Sequence, residues 1–370
     1  MLFELLQGEL WGKPLSFTEL SHADYVAVME LATQQTADGL VGDCLMQRGV
    51  TLQKEDAVNL YARVEHIKHT NAHLNSHLKG FAAFLERHTV KYVIVKGQVI
   101  GALYPNPDVR TSGDIDIYCP GDDFAKAMRL IEQRLGRSLG GMSGGGKHVE
   151  FTTGKVAYEL HHQLTQLATR RHQDYWDKMI AEAVEAKTAT VDVNGQGVQT
   201  LTATYNVLYV FVHLFFHMTA SGVGLRQLCD WAVMLHSVSS SGAWTEANPR
   251  DGIDTAKLQE ILTALGYHKA FMAMGAFVVE CLGLPEKDFP FQLGEKDRRW
   301  VSVIRNNILK RGNFGRSTRT ASHAGIWHSL ETARQNAAQT LIFYRLAPQE
   351  VLLRFTGFGE GLLRTIGLKK

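Results

Sequence analysis

Residues 91–119, KYVIVKGQVIGALYPNPDVRTSGDIDIYC, constrain the fold more than any other part of the chain. Residues 91–95 are mostly β-branched or aromatic, which favours a strand that ends at the following Lys-Gly pair. Residues 98–103 predict a short helix, and the proline-rich residues 104–107 end it. Residues 114–118, DIDIY, predict a second strand. This order of elements predicts an α+β core with a mixed sheet.

The second strand carries two carboxylates on one face. Alternate strand residues share a face, so Asp114 and Asp116 point the same way while Ile115 and Ile117 point into a core. Two carboxylates about 6–7 Å apart repel each other unless a cation neutralises them. Mg²⁺ accepts carboxylate oxygens together with substrate phosphates, so the pair predicts a metal site. The alternative is a solvent-facing Asp-x-Asp at a sheet edge.

The turn before the short helix is a candidate phosphate site. Free backbone N–H groups at the start of a helix favour anions, which makes Lys96, Gly97 and Gln98 candidate phosphate-binding residues. Lys96 and Arg110 can add charge-assisted contacts. Ser112 and Gly113 lead directly into the aspartate strand, and we include them in the same predicted site.

The pattern resembles a known superfamily. Lys96-Gly97, Tyr104-Pro105, Arg110 and residues 113–117 resemble a family of uncharacterised bacterial nucleotidyltransferases in the polymerase-β-like nucleotidyltransferase superfamily. The resemblance implies a polymerase-β-like core, an NTP such as ATP as co-substrate, Mg²⁺ or Mn²⁺ as cofactor, and an acceptor it does not identify. One departure is Gln98, which stands where the superfamily usually has serine and removes a hydroxyl that would contact a phosphate.

A third acid is predicted downstream. Residues 149–152 and 156–161 predict a hairpin, and Glu159-Leu160-His161 resembles the family's Glu-Leu-His on a strand beside the aspartates. The resemblance makes Glu159 a third metal ligand and catalytic residue with Asp114 and Asp116, since three acids can hold two metals. His161 shares the face of Glu159 and is a candidate to orient it or to touch substrate. The alternative for Glu159 is a cross-strand ion pair.

The helical segment at residues 213–235 also resembles the family. We expect His217, Arg226 and Asp230 near the nucleotide or acceptor, although a structural His–Arg–Asp network fits the spacing equally well. His213 lies four residues before His217 and shares its face, but a zinc enzyme built on the two histidines lacks supporting ligands.

Length and composition set the wider expectations. The 370 residues allow three regions: a helical region at 1–89, the nucleotidyltransferase core at 90–201 and a helical domain at 202–370. A net charge of +2 argues against strong non-specific nucleic-acid binding. Four cysteines without a C-x-x-C motif indicate a reducing compartment, and the absence of a signal or membrane-spanning segment favours the cytoplasm.

Three functions stay open at this point. The first is metal-dependent transfer of a nucleoside monophosphate to a small molecule, a protein or tRNA. The second is a catalytically inactive nucleotide-binding module with a regulatory or interaction role, which Gln98 keeps open. The third is a toxin-like transferase acting on tRNA, for which the basic residues 310–323 would supply contacts, although a solvated loop is the simpler interpretation. The amphipathic C-terminus suggests partner or membrane-surface docking without further support.

Overall fold

A computed structural model describes residues 1–143, 145–220, 222–240, 252–313, 334 and 337–352. The basic segment beyond residue 313 and the amphipathic segment beyond residue 352 lie outside the described residues. The described helices are α1 (Leu2–Trp11), α2 (His22–Gln34), α3 (Asp38–Gln47), α4 (Lys54–Arg87), α5 (Gly97–Gly101), α6 (Asp122–Leu135), α7 (Arg170–Ala186), α8 (Ala203–Thr219), α9 (Leu225–Ser240), α10 (Thr255–Ala264), α11 (His268–Glu280), α12 (Glu295–Arg298) and α13 (Val301–Arg311). The strands are β1 (Val93–Val95), β2 (Asp114–Tyr118), β3 (His148–Thr153), β4 (Val156–His161), β5 (Ala189–Val193) and β6 (Gln196–Thr200), and short 3₁₀ turns occupy Pro107–Val109 and Glu286–Asp288.

The N-terminal helices form largely as their sequence predicts. Apolar residues at helical spacing bury one face of α4, and the Ser21 hydroxyl accepts a hydrogen bond from the Asp24 N–H at 3.2 Å as the N-cap of α2. The apolar spacing of residues 21–37 predicts a single helix, but α2 ends at Gln34, so the predicted end is wrong. Thr36 adopts a φ of 53°, a left-handed conformation that ends the helix, and the unpredicted α3 begins after Ala37.

The core sheet has the strand order β1-β2-β4-β3. The β1–β2 and β3–β4 pairs are antiparallel, whereas β2 and β4 are parallel, so the sheet is mixed. One face is apolar, with Ile115, Ile117 and Leu160 completely buried. The predicted hairpin β3–β4 is confirmed. The Asn194-Gly195 turn predicts a second hairpin and residues 121–135 predict a helix, and both are present as β5–β6 and α6. The expected α+β class with a mixed sheet and flanking helices is therefore confirmed.

Helices α8 and α9 bring C-terminal side chains to the core. They pack against each other around Trp231, whose indole N–H donates to the Val207 carbonyl at 3.2 Å. The division at residues 89 and 201 stays a prediction, although every described strand lies between Val93 and Thr200. In the described ranges, no helix has both the length and the apolar character needed to cross a bilayer.

Candidate functional site

The predicted carboxylates meet on one face of the core sheet. In the parallel pair, Asp116 lies opposite Glu159, and Asp114 lies opposite Ala157 two residues earlier. Because directly opposed strand residues point to the same side, all three carboxylates share the face opposite the apolar one. Glu159 therefore lies on the strand beside the aspartates, as the sequence predicts. Its role as a ligand stays a prediction.

This face lines a cleft of about 660 Å³. The β1–α5 turn, the segment before β2, strand β4 and helices α8 and α9 all contribute to its walls. Twelve of the thirteen predicted site residues line it: Lys96, Gly97, Arg110, Ser112, Gly113, Asp114, Asp116, Glu159, His161, His217, Arg226 and Asp230. Residues separated by more than a hundred positions in the sequence thus contribute to one cavity.

Asp116 is the most strongly paired of the carboxylates. Lys96 Nζ lies 2.9 Å and His161 Nε2 3.0 Å from the same oxygen, Asp116 Oδ1. Burial alone would raise the pKa of Asp116, but the Lys96 ammonium and the His161 hydrogen bond hold it well below its usual value. Burial would lower the pKa of Lys96, but the charge of Asp116 opposes this effect. The net result is a pKa above the usual value for lysine, so Lys96 stays protonated.

Asp114 is in a different electrostatic position. The charge of Asp116, together with burial, raises the pKa of Asp114. Among the described residues, no side chain donates a hydrogen bond to the Asp114 carboxylate. The face therefore holds one ionised aspartate, Asp116, that is paired with a lysine, and a second, Asp114, that is repelled by the charge of the first. This arrangement favours an additional cation.

The turn before α5 is conformationally strained at the edge of the cleft. Lys96 has a φ of 57° and Gly97 a φ of 43°. Glycine adopts such angles without penalty, whereas lysine does not, and strained residues of this kind concentrate at functional sites. The turn directs the Lys96 ammonium toward Asp116 and also places it 5.8 Å from the centre of the Tyr209 ring.

Arg110 and Asp230 form a buried bidentate pair that the sequence did not predict. Arg110 Nε lies 2.7 Å from Asp230 Oδ1, and Arg110 Nη2 lies 2.8 Å from Oδ2. The Tyr104 hydroxyl donates to the same carboxylate at 2.7 Å, and Arg110 Nη1 donates to Ser112 Oγ at 2.9 Å. Burial would raise the pKa of Asp230, but Arg110 lowers it. The ion pair of Asp230 with Arg226 that the spacing predicts is also present as a longer contact, with Arg226 Nη1 3.9 Å from Asp230 Oδ2.

Helices α8 and α9 supply the remaining polar groups of the cleft. Arg226 donates to the Thr111 carbonyl at 3.1 Å, and burial together with the nearby Arg110 charge lowers its pKa. The His213 and His217 rings lie 4.5 Å apart, as their spacing predicts. Burial and the Lys96 charge hold the pKa of His213 well below its usual value, so this histidine is neutral.

Gln98 is the one predicted site residue outside the cleft. Its side chain is 4% exposed and lines a separate cavity of about 180 Å³ on the side of the β5–β6 turn. Neither atom of its amide group finds a hydrogen-bond partner among the described residues. Its role in nucleotide binding stays a prediction.

His148 is a cleft residue that the sequence-based reasoning missed. It lies directly opposite His161 in the β3–β4 hairpin, on the same face as Glu159. The predicted first strand began one residue too late, at Val149, although the same register extended by one residue pairs His148 with His161. Lys147, at the end of the glycine-rich segment, also lines the cleft.

Comparisons with known proteins identify a family for this chain. A family model described as an uncharacterised nucleotidyltransferase matches residues 21–283. No curated protein matches this sequence. The solved structure of an antigenic nucleotidyltransferase-like protein from Paracoccidioides brasiliensis is similar at 14% identity, over 57% of this chain and 92% of that chain, with a TM-score of 0.34. This structural similarity is too weak to support a statement about the fold or the function of this chain.

Proposed function

The chain belongs to this uncharacterised nucleotidyltransferase family, and from that membership we propose that it moves a nucleoside monophosphate from an NTP to an acceptor and releases pyrophosphate. The observation that carries the proposal is the register that aligns Asp116 with Glu159 and sets Asp114 on the same face, inside a cleft. The acceptor is a small molecule, a protein or tRNA.

The carboxylates fit a divalent cation, Mg²⁺ or Mn²⁺. Asp114 and Asp116 repel each other strongly enough to raise the pKa of Asp114, and three carboxylate groups are the oxygen ligands that such ions take. In this proposal Asp114, Asp116 and Glu159 hold the metal. When bound, a divalent cation neutralises charge that develops on the attacking and leaving oxygens.

The β1–α5 turn binds the triphosphate in this proposal. Lys96 stays protonated and faces the carboxylates, so it can pair with a phosphate oxygen as well as with Asp116. The backbone at Gly97 and at Ser112-Gly113 lines the same side of the cleft. Arg110 contributes by fixing Ser112 through their hydrogen bond of 2.9 Å, and its pair with Asp230 anchors the segment before β2 to α9.

Glu159 and His161 serve the acceptor side. The Glu159 side chain is 24% exposed, whereas that of Asp116 is 4% exposed, so Glu159 is the more accessible base for the acceptor proton. His161 Nε2 lies 3.2 Å from Glu159 Oε2 and orients that carboxylate. Arg226 and His217 line the same cleft and would contact the nucleotide or the acceptor.

The cellular location belongs to the same proposal. All four cysteines are buried and unbridged, which fits a reducing cytoplasm.

Thermal unfolding with each of the four common NTPs, with and without Mg²⁺ or Mn²⁺, tests the donor site. Ligand at 100 times its Kd stabilises the folded state by about 2.7 kcal/mol, which is a measurable shift. We expect a metal-dependent rise in melting temperature with at least one NTP and its loss in the Asp114→Asn/Asp116→Asn variant. No rise with any NTP, or an equal rise in the variant, would contradict the proposed site.

A further inference from the structure

We propose that His148, Glu159 and His161 form a binding site for a divalent transition-metal ion, distinct from the aspartate pair. The three side chains offer one ligand atom each, and these atoms lie within 4.8 Å of one another. His148 and His161 are directly opposed in the β3–β4 hairpin, so the backbone register itself brings their rings to one place. The inference deepens the proposed function in one respect, since Glu159 belongs to both sites.

The hydrogen bonding of His148 favours a cation at Nδ1. His148 Nε2 lies 3.1 Å from Glu150 Oε1, and a carboxylate only accepts, so we assign the proton of a neutral ring to Nε2. The lone pair of Nδ1 then faces Glu159 Oε2, another acceptor, at 3.7 Å. Nδ1 is buried and has no hydrogen-bond partner among the described residues. Two acceptors that face each other in this way are stabilised by a cation between them.

The distances agree with a coordination sphere. Ligand atoms about 2.0–2.1 Å from a tetrahedral ion are separated from each other by roughly 3.3 Å. Glu159 Oε2 lies 3.2 Å from His161 Nε2 and 3.7 Å from His148 Nδ1. Small side-chain rotations would bring all three atoms into contact with one ion. The ion would take the place of the proton that His161 shares with the carboxylates.

One of the two histidines has the outer support that metal-bound histidines usually have. Such histidines donate their second ring N–H to a carboxylate or carbonyl, as His148 donates to Glu150. The side chains of His148 and His161 are 8% and 4% exposed, so both rings are enclosed by the protein. Two imidazoles and one carboxylate with an open cleft on one side leave room for a water or a substrate oxygen.

The ligand set also selects the ion. Imidazole nitrogens favour Zn²⁺, Co²⁺ and Ni²⁺, whereas Mg²⁺ prefers an all-oxygen shell and keeps several waters. We therefore expect this site to bind Zn²⁺ or Co²⁺ at concentrations at which Mg²⁺ leaves it empty. The aspartate pair offers oxygen ligands only, which suit Mg²⁺ and Mn²⁺.

Cobalt titration of the metal-free full-length protein, without nucleotide, tests the inference. Bound Co²⁺ with nitrogen ligands at four or five coordination absorbs visible light intensely, so the site has a spectroscopic signature separate from activity. We expect saturable binding, displacement by Zn²⁺ and no competition from Mg²⁺ at a tenfold excess over Co²⁺. His148→Gln should weaken Co²⁺ binding by about 100-fold, and Glu150→Gln, which changes an exposed residue, by about 10-fold.

Two control variants test whether the Co²⁺ absorption comes from this site. His162 follows the last residue of β4 and its Nε2 lies 2.6 Å from the Gly146 carbonyl oxygen, outside the proposed ligand set, so His162→Gln should leave the cobalt spectrum unchanged. Asp114→Asn should also keep the spectrum while it removes the metal-dependent NTP shift, which separates failure of this site from failure of the proposed transferase site. Far-ultraviolet circular dichroism confirms the fold of each metal-free variant. Wild-type Co²⁺ affinity in both His148→Gln and Glu150→Gln, or equal loss in His162→Gln, would overturn the inference.

Discussion

Replacement of Asp230 by alanine should destabilise the folded protein by about 3–5 kcal/mol. Arg110 is 2% exposed and Asp230 is 4% exposed, so neither charge is solvated once its partner is gone. Two unit charges about 4 Å apart attract by about 4 kcal/mol at an effective dielectric constant of 20. Removal of one partner from a buried pair leaves the other charge uncompensated, and such changes cost about 3–5 kcal/mol. The Tyr104 hydroxyl also loses its acceptor.

Urea denaturation followed by circular dichroism measures this change, with the variants compared at equal m value. The double variant Arg110→Met/Asp230→Leu should recover at least half of the loss, because Arg110 is no longer left as a buried charge without its partner. Glu260→Ala, which removes one partner of the exposed pair with Lys257, should change stability by less than about 1 kcal/mol. A loss below 1 kcal/mol for Asp230→Ala, or a double variant no better than the single one, would refute the reasoning.

The same variant has a defined pH dependence. Arg110 holds the folded-state pKa of Asp230 below its usual value, so the stabilisation is complete above the unfolded pKa of about 3.9 and is lost as pH falls through the folded value. The stability difference between wild type and Asp230→Ala should therefore be constant near neutral pH and start to shrink below about pH 4. A difference that grows on acidification would contradict the assignment.

The remaining predictions concern single residues. Asp114→Asn removes the repulsion from Asp116 that raises the Asp114 pKa, so it should raise the melting temperature of the metal-free protein; a lower value would contradict this account. Gln98→Met replaces a buried amide whose atoms lack partners among the described residues and should stabilise the protein by about 1 kcal/mol in urea denaturation, whereas a clear loss would show that the amide is satisfied. Gly39→Ala would place a Cβ 2.1 Å from the Val109 carbonyl oxygen and should destabilise by about 1–3 kcal/mol by the same assay; wild-type stability would show that α3 shifts freely.

Local patterns in the sequence predicted the floor of the site. The alternation of Asp114, Ile115, Asp116 and Ile117 determines which face each side chain takes, because a strand has a side-chain period of two. The short turns between β3 and β4 and between β5 and β6 consist of residues that favour tight turns, and these residues predicted both hairpins. These features depend on neighbours within a few residues, which is the range over which such patterns are informative.

The partners of the charged residues depended on tertiary packing. Arg110 and Asp230 are separated by 120 positions, and their spacing in the sequence does not bring them together. The direction of Gln98 follows from the orientation of α5 against the β5–β6 hairpin, which no local pattern fixes. Helix α3 escaped prediction because Thr36 adopts an unusual backbone angle for a residue without special turn propensity.

Transfer of labelled phosphate tests the central claim most directly. The purified protein is incubated with Mg²⁺, a cell extract fractionated into small molecules, RNA and protein, and NTPs radiolabelled on either the α- or the γ-phosphate. The account predicts that α-label moves onto one fraction, that γ-label leaves as pyrophosphate, and that Asp116→Asn abolishes both. Metal-dependent NTP binding without transfer to any fraction would contradict the transferase account and identify a nucleotide-binding module, and undiminished transfer by Asp116→Asn would place the chemistry elsewhere.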